Sequence, residues 1–381
     1  MDMNGQRVLI AGAGLGGLTL AHGLLRAGVD VHVYEADDGS GERFQGYRIG
    51  LSPLGWEGLR ACLPERLYEL AEATSGSLDG PGLLFDEHLT LLSRDLPGPD
   101  EARAVDRQVL RRILLSGLGG RVTHGKRLTG VEEAEGTVTA RFADGTQAVG
   151  DVLVGAEGSN SVVRRHVAPE VGYVDTDLSG AMGRTTITER FLELVPGRGT
   201  MVKGPGITLM LGRMQFGREP SEAAAELVPG LDMPYRDSYV RWVLIVPPEH
   251  PASRQTLPDA REFVLELIDG WHPDLRDLVA AADMSAVGRA QVYDRPVPPW
   301  PADRITLLGD AAHLTLASGG NGANTAIQDA LRLGDRLAEV HRGERDLRSA
   351  LAEYQEDMLA RGNAAVEYSK EALKRFVPST S

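Results

Sequence analysis

The chain holds a single cysteine, Cys62, so neither an intrachain disulfide nor a cysteine zinc cluster can form. Beside Leu63-Pro64, with no base placed near it in sequence, Cys62 reads as a small helix-end residue rather than a nucleophile. Lysine is confined to Lys126, Lys203, Lys370 and Lys374, and arginine carries nearly all the positive charge. That charge is outnumbered: 54 acidic against 40 basic residues leave a net −14, which argues against nucleic acid or an anionic membrane as the main partner. No apolar run is long enough to span a bilayer. The start Met1-Asp2-Met3-Asn4 lacks the basic and apolar regions of a signal peptide, so a cytoplasmic location is expected. No clustered histidine and carboxylate spacing suggests a metal, and no repeat or low-complexity tract suggests a solenoid or a disordered array. What remains is a chain of 381 residues, 42% apolar, long enough for two or three domains with substantial cores.

The opening of the chain is the most informative stretch. Arg7 to Ile10 is a short apolar run, Leu15 to Ala27 has apolar residues at helical spacing, and Val29 to Tyr34 is a second β-branched run. Together they predict one βαβ unit. Between its first strand and its helix lies Gly12-Ala13-Gly14-Leu15-Gly16-Gly17. In such a turn Gly12 allows the tight bend, Gly14 lets a pyrophosphate approach the backbone, and Gly17 lets the helix pack closely on the sheet. The free amides of the helix start then face the phosphate charge. Glu35, followed by Ala36, ends the second strand at the distance where a carboxylate binds a ribose hydroxyl. A carboxylate there repels a 2′-phosphate, so FAD or NAD fits and NADP does not.

Nearly three hundred residues later, Ile305 to Leu308 reads as a buried strand with Gly309-Asp310 at its carboxyl end, where ligands bind in α/β sheets. Ala311-Ala312-His313 follows, then the loop Gly319-Gly320-Asn321-Gly322-Ala323-Asn324, which opens a helix. Its N-terminal amides can face the N1 and C2 carbonyl edge of a flavin and stabilise the charge left there by reduction. Gly320 and Gly322 let the backbone approach the ring. His313 is expected to be a neutral, structural histidine bonded to backbone. A third element runs from Asp151-Val152-Leu153-Val154-Gly155-Ala156-Glu157-Gly158 to Arg164.

With these motifs in this order the chain resembles the single-component flavin-dependent monooxygenases of the para-hydroxybenzoate hydroxylase type, which include many tailoring enzymes of secondary metabolism. The resemblance covers most of the chain. It implies that Asp310 accepts hydrogen bonds from the ribityl chain and that Arg107 reaches the cofactor. It also implies an arginine near the adenosine ribose or the isoalloxazine: Arg43 and Arg48 both suit by spacing, and Arg48 looks closer to the ring. The family's third motif serves the flavin and productive nicotinamide binding, but it usually has aspartate where this chain has Glu157. The segment Leu314-Thr315-Leu316-Ala317-Ser318 departs too, since relatives commonly carry proline before the glycine loop.

The implied fold is α/β: a Rossmann-like FAD-binding domain of the glutathione-reductase type, an inserted and mainly antiparallel substrate sheet, and C-terminal helices. The expected division gives residues 1–71, 100–172 and 286–381 to the FAD domain and 72–99 and 173–285 to the sheet domain. Leu83 to Leu92 is β-like and belongs to a different sheet from the opening unit. Asp106 can cap a helix from Arg107 to Gly117, and two strands meet at Asp144-Gly145. Gly206 to Met214 and Tyr239 to Val246 are alternating strands, and Val240, Trp242 and Leu244 share a face that could line a dry pocket. Core packing is the competing role for Trp242. Arg184, Met210, Arg213, Ala317 and Ser318 are further pocket candidates, and no general base is assigned.

The expected function is monooxygenation: NADH or NADPH reduces FAD, the reduced flavin adds dioxygen at C4a, and one oxygen passes to an electron-rich aromatic or polyketide-like molecule. Hydroxylation is the default, with epoxidation or Baeyer–Villiger insertion open on the same scaffold. The departures at Glu157 and Ala317 motivate an alternative, a non-redox cyclisation that keeps FAD as a structural element. A simple NAD dehydrogenase is disfavoured by the Gly309-Asp310 element and by the single glycine fingerprint. Substrate identity and oligomeric state stay open.

Overall fold

The computed structural model describes residues 6–39, 47–96, 101–254, 259–316 and 319–374. The strand Arg7–Ala11 is the middle of a five-stranded sheet in the order Ile305–Leu307, Val152–Gly155, Arg7–Ala11, Asp30–Tyr34, Val122–Thr123. All four pairings are parallel. A parallel sheet is covered on both faces, so its strands carry continuous apolar runs rather than alternation. Val8-Leu9-Ile10 and Val152-Leu153-Val154 are such runs, and all six side chains are fully buried.

The helix Leu15–Arg26 packs against Gly322–His341, burying Leu18, Ala21 and Leu24 on one and Ile327, Ala330, Leu333 and Leu337 on the other. The last helix, Leu347–Leu373, covers the second, and its Tyr354 hydroxyl donates to the Leu307 carbonyl at 2.9 Å. None of the described helices is long and apolar enough to cross a membrane. A three-stranded antiparallel sheet, Leu128–Ala134, Thr137–Phe142 and Gln147–Gly150, turns at Asp144-Gly145 as expected, with Gly145 at φ 81°.

A seven-stranded sheet runs Met284–Tyr293, Tyr173–Thr186, Tyr239–Val246, Ile207–Met214, Gly199–Gly204, Gly82–Asp86, Leu91–Ser93. The segment near Leu83 thus joins a sheet other than the opening one, through parallel pairing with Gly199–Gly204. The strand Met284–Tyr293 carries this sheet past residue 285.

The two faces of this sheet differ from the expected assignment. Val240, Trp242 and Leu244 join Ala181, Leu209 and Leu211 in an outer core against the helices Ala260–Leu267 and Pro273–Ala280. Tyr239 and Met214 lie on the opposite face, clustered with Tyr47 and Ala104. Trp242 is therefore a fully buried core residue. Alternation shows which residues share a face, but the choice of face rests on which side receives the helices.

A small sheet of Arg48–Leu51, Arg103–Asp106 and Gly76–Ser77 lies at this inner face. Asp106 caps the helix Arg107–Leu115, accepting from Gln108 N at 3.0 Å and Val109 N at 2.9 Å. Its other oxygen accepts from the Tyr239 hydroxyl at 2.7 Å, which ties the seven-stranded sheet to the small one. The helix ends two residues short of Gly117, at Leu115.

Candidate functional site

Three turns meet at the carboxyl edge of the parallel sheet, because the strands that carry them are neighbours there. The first follows Arg7–Ala11. Gly12 sits at φ +107°, and a Cβ on it would stand 2.3 Å from the Ala156 carbonyl, so the first and third motifs touch only because this residue is glycine. The second contact is through Gly16, whose added Cβ would stand 2.7 Å from Leu308 Cδ1 and 3.2 Å from Ala326 Cβ. The helix of the first motif is thereby pressed onto the strand end and helix of the second. Leu15 is buried beside it, and Gly17 abuts the Gly12 carbonyl.

Gly14 behaves differently. Nothing lies within 4 Å of where its Cβ would be, and the helix Leu15–Arg26 that it starts has no side-chain cap. Unsatisfied amides beside open space form an anion-binding geometry. Glu35 is buried next to it, accepting from Ala13 N at 2.7 Å and Asp37 N at 3.0 Å. Arg111, which the sequence reading missed, donates Nε to the Ala13 carbonyl at 2.9 Å and lies 3.7 Å from Glu35. It stands one turn after Arg107 on the same helix, the only signal that could have found it. Ala36 is half-buried at the end of this corner.

In the second motif the backbone of Asp310 is held by Tyr293, whose hydroxyl donates to its carbonyl at 2.6 Å. Tyr293 in turn carries the Arg164 guanidinium over its ring at 5.0 Å. Burial raises the pKa of the Asp310 carboxyl, opposed by the positive charges of His313 and Arg107. Arg107 and Asp310 are therefore within electrostatic reach of each other. Gly320, at φ +63°, has nothing within 4 Å of its Cβ position, and neither has Gly158 at φ +77°. A Cβ on Gly322 would meet Thr315 Oγ1 at 2.7 Å, while Ala323 packs partly buried against the main core.

Three of the expected residues are engaged within the protein, and three fall outside the described residues. His313 bonds a side chain and not backbone: its Nε2 lies 2.6 Å from Asp329 Oδ2, both side chains buried. Burial disfavours the charged imidazole, but the Asp329 carboxylate outweighs it and holds the pKa above 6.5. Asp329 also accepts from Gly309 N at 2.9 Å and from Arg361 Nη2 at 3.0 Å, so one carboxylate gathers the turn, the histidine and the last helix. Neither Asp329 nor Arg361 carried a sequence signal beyond sitting in helical segments.

The Glu157 carboxylate is also occupied. It accepts from Ser161 Oγ at 2.5 Å, Val162 N at 2.9 Å and Val163 N at 3.2 Å, capping the helix Val162–Val167. Burial raises its pKa against these hydrogen bonds. The carboxylate thus holds the start of that helix. Glu157→Ala is expected to cost about 0.5–2 kcal/mol by loss of this cap, read by thermal melting, with FAD content unchanged by absorbance. Unaltered melting together with lost FAD would return the residue to the cofactor.

Asn324 is likewise used within the protein, accepting from Ser52 N at 2.9 Å and donating to the Gly50 carbonyl at 2.9 Å. It pins the strand Arg48–Leu51 to the first turn of Gly322–His341. Arg43, Ala317 and Ser318 lie outside the described residues.

Among the remaining pocket candidates, Met210 alternates with Gly212 and Met214 on the inner face, and Arg213 with Leu209 and Leu211 on the other. Arg184 lies over the rings of Tyr47 at 5.7 Å and Tyr239 at 5.6 Å and pairs with Asp283 at 3.2 Å. Arg241, on the inner face between Tyr239 and Val243, was missed. It belongs to the face not chosen.

The donor set suits a flavin dinucleotide. The uncapped helix at Gly14 suits the pyrophosphate, and the nearby Glu35 carboxylate suits a ribose hydroxyl. The buried Asp310 carboxyl suits a polyol chain, with a helix start beside it.

Comparison with known proteins agrees. A family model described as FAD binding domain matches residues 6–369. A dual O-methyltransferase/FAD-dependent monooxygenase of Cercospora beticola is 31% identical over 412 residues, covering 97% of this chain and 46% of that protein. The chain spans less than half the length of such curated relatives. Among solved structures, a candidate FAD-containing monooxygenase from Photorhabdus luminescens subsp. laumondii TTO1 aligns with a TM-score of 0.82 at 29% identity, covering 99% of this chain and 100% of that one. Klebsiella pneumoniae HpxO complexed with FAD and uric acid aligns with a TM-score of 0.75 at 25% identity, covering 98% and 90%.

Proposed function

The chain belongs to the FAD-binding family that this match defines, and we propose that it is a monooxygenase that consumes NADH or NADPH and dioxygen to hydroxylate or epoxidise an aromatic or polyketide-like small molecule. The observation that carries the proposal is the convergence of three motifs at one sheet edge, with open space at Gly14, Gly158 and Gly320 where a cofactor backbone approaches. Bound FAD would supply the redox chemistry, taking electrons from the nicotinamide and activating dioxygen.

The protein's own contribution is position and polarity. The helix start at Leu15 would neutralise the pyrophosphate, Glu35 would hold the ribose, and Asp310 with Arg107 would hold the polyol chain. The amide end of Gly322–His341 would stabilise negative charge on the ring. The inner face of the seven-stranded sheet would roof the substrate and exclude water, which competes for activated oxygen.

The Cercospora beticola relative is named as a FAD-dependent monooxygenase, which favours oxygenation over the non-redox cyclisation suggested by Glu157 and Ala317. Turnover under anaerobic conditions without nicotinamide would reverse that preference.

The protein is expected to purify yellow, to release FAD on denaturation, and to oxidise NADH or NADPH faster when a suitable aromatic is present. Colourless protein that takes up no added FAD would end this reading.

A further inference from the structure

Arg48 and Arg241 meet on the inner face of the seven-stranded sheet. A Cβ on Gly212 would stand 2.0 Å from Arg48 Nη1 and 3.5 Å from Arg241 Nη2, so the glycine opposite Arg241 in the ladder makes room for both guanidiniums. Both side chains lie deep in the molecule yet keep partly accessible surface. Among the described residues neither has an ion-pair or hydrogen-bond partner, and the Nε of each is buried without an acceptor.

Other deep arginines in this protein are paired. Arg164 donates to the Val171 carbonyl and lies over two tyrosine rings, Arg361 binds Asp329 and Asp357, and Arg184 binds Asp283. The carboxylate across the ladder from Arg48 is Asp106, and both its oxygens are already engaged by the helix cap and the Tyr239 hydroxyl. Desolvation lowers both guanidinium pKa values, and the charges of Arg241 and Arg213 lower that of Arg48 further. Two like charges held together in a dry layer without a counter-ion are costly unless a ligand supplies one.

We propose that Arg48 and Arg241 form a subsite for an acidic oxygen of the substrate, a carboxylate or an ionised phenol or enol. The planar guanidinium forks suit bidentate contact with such an anion. The subsite lies beside the cofactor cleft, because Asn324 ties the strand that carries Arg48 to the helix start assigned to the flavin. This inference rests on the monooxygenase reading and adds a substrate class to it: the reactive molecule is anchored by its negative charge.

The test titrates the FAD-loaded protein at pH 8 with benzoate, 4-nitrophenolate and neutral benzamide, followed by calorimetry and by the flavin absorbance band. At least one anion is expected to bind tenfold or more tightly than benzamide, and which one it is separates a carboxylate site from a phenolate site. Arg241→Met is expected to abolish the preference, Arg241→Lys to restore part of it, and FAD content to stay unchanged. Without anions, Arg241→Met should melt no lower than the wild type, because it removes an unpaired charge.

Equal binding of anions and benzamide, binding of neither anion, or an anion preference that survives Arg241→Met would overturn the proposal. Loss of FAD from Arg241→Met would assign the pair to the cofactor instead. If the protein takes up no FAD, the monooxygenase reading fails, and calorimetry on the same protein still reports the anion preference separately.

Discussion

Asp329→Ala is expected to destabilise the protein by ~3–5 kcal/mol, the usual cost of removing one member of a buried ion pair. The carboxylate is fully buried and serves three donors: His313 Nε2, Gly309 N and Arg361 Nη2. Its removal leaves His313 Nε2 and the Gly309 amide without an acceptor and Arg361 with Asp357 alone. Because Gly309 begins the turn that carries Asp310, FAD retention should fall with stability. Asp329→Asn should be milder, since its amide oxygen still accepts from Gly309. Melting of Asp329→Ala within about a degree of the wild type would remove the anchoring role.

The same pair predicts a pH dependence. Burial opposes charge on both groups, but their mutual attraction holds the His313 pKa above 6.5 and the Asp329 pKa below 3.8. The histidine contribution is complete below 6.5 and is lost as pH rises through its raised value. The aspartate contribution is complete above 3.8 and is lost as pH falls through its lowered value. The stability difference between the wild type and Asp329→Asn should therefore be greatest between 3.8 and 6.5 and shrink above that range. Denaturant titrations across pH read it directly, and a difference that grows toward alkaline pH would contradict it.

The second large effect separates two glycines three residues apart. Gly14→Val is expected to fold normally and to lose FAD affinity about tenfold to a hundredfold, the ~1–3 kcal/mol cost of intruding methyl groups. No protein atom lies near its Cβ, so the valine meets only what the cleft receives. Gly17→Val is expected to fail at folding itself, because its Cβ would stand 2.3 Å from the Gly12 carbonyl inside the strand-to-helix turn. Circular dichroism and FAD titration distinguish the two. Normal FAD affinity in a folded Gly14→Val protein would place the pyrophosphate elsewhere.

Features encoded over short spans were legible in the sequence. The fingerprint from Arg7 to Glu35 is one βαβ unit, whose glycine and acidic positions follow from local geometry. The Asp106 cap and the turn at Asp144-Gly145 are of the same kind. The strand Tyr239–Val246 was legible in extent, but its buried face was not, since the helices that cover Trp242 come from residues 260–280.

The bonds that individual side chains make were the least legible. Glu157 was matched to a cofactor motif, and only the folded turn shows its carboxylate accepting from Ser161, Val162 and Val163 of the same stretch. His313 was expected to bond backbone because its partner lies sixteen residues on, in the helix Gly322–His341.

The sequence by itself determined the cofactor class, the order of the motifs and the periodicity of the strands, because each depends on residues within hydrogen-bonding or packing reach along the chain. Only the tertiary structure decided which face of the large sheet looks inward and which acids are already paired. It also decided which arginines are left without a counter-ion. Burial and charge compensation depend on residues brought together from distant segments, as Arg48, Gly212 and Arg241 are. Their meeting marks the place where this protein would hold an anion.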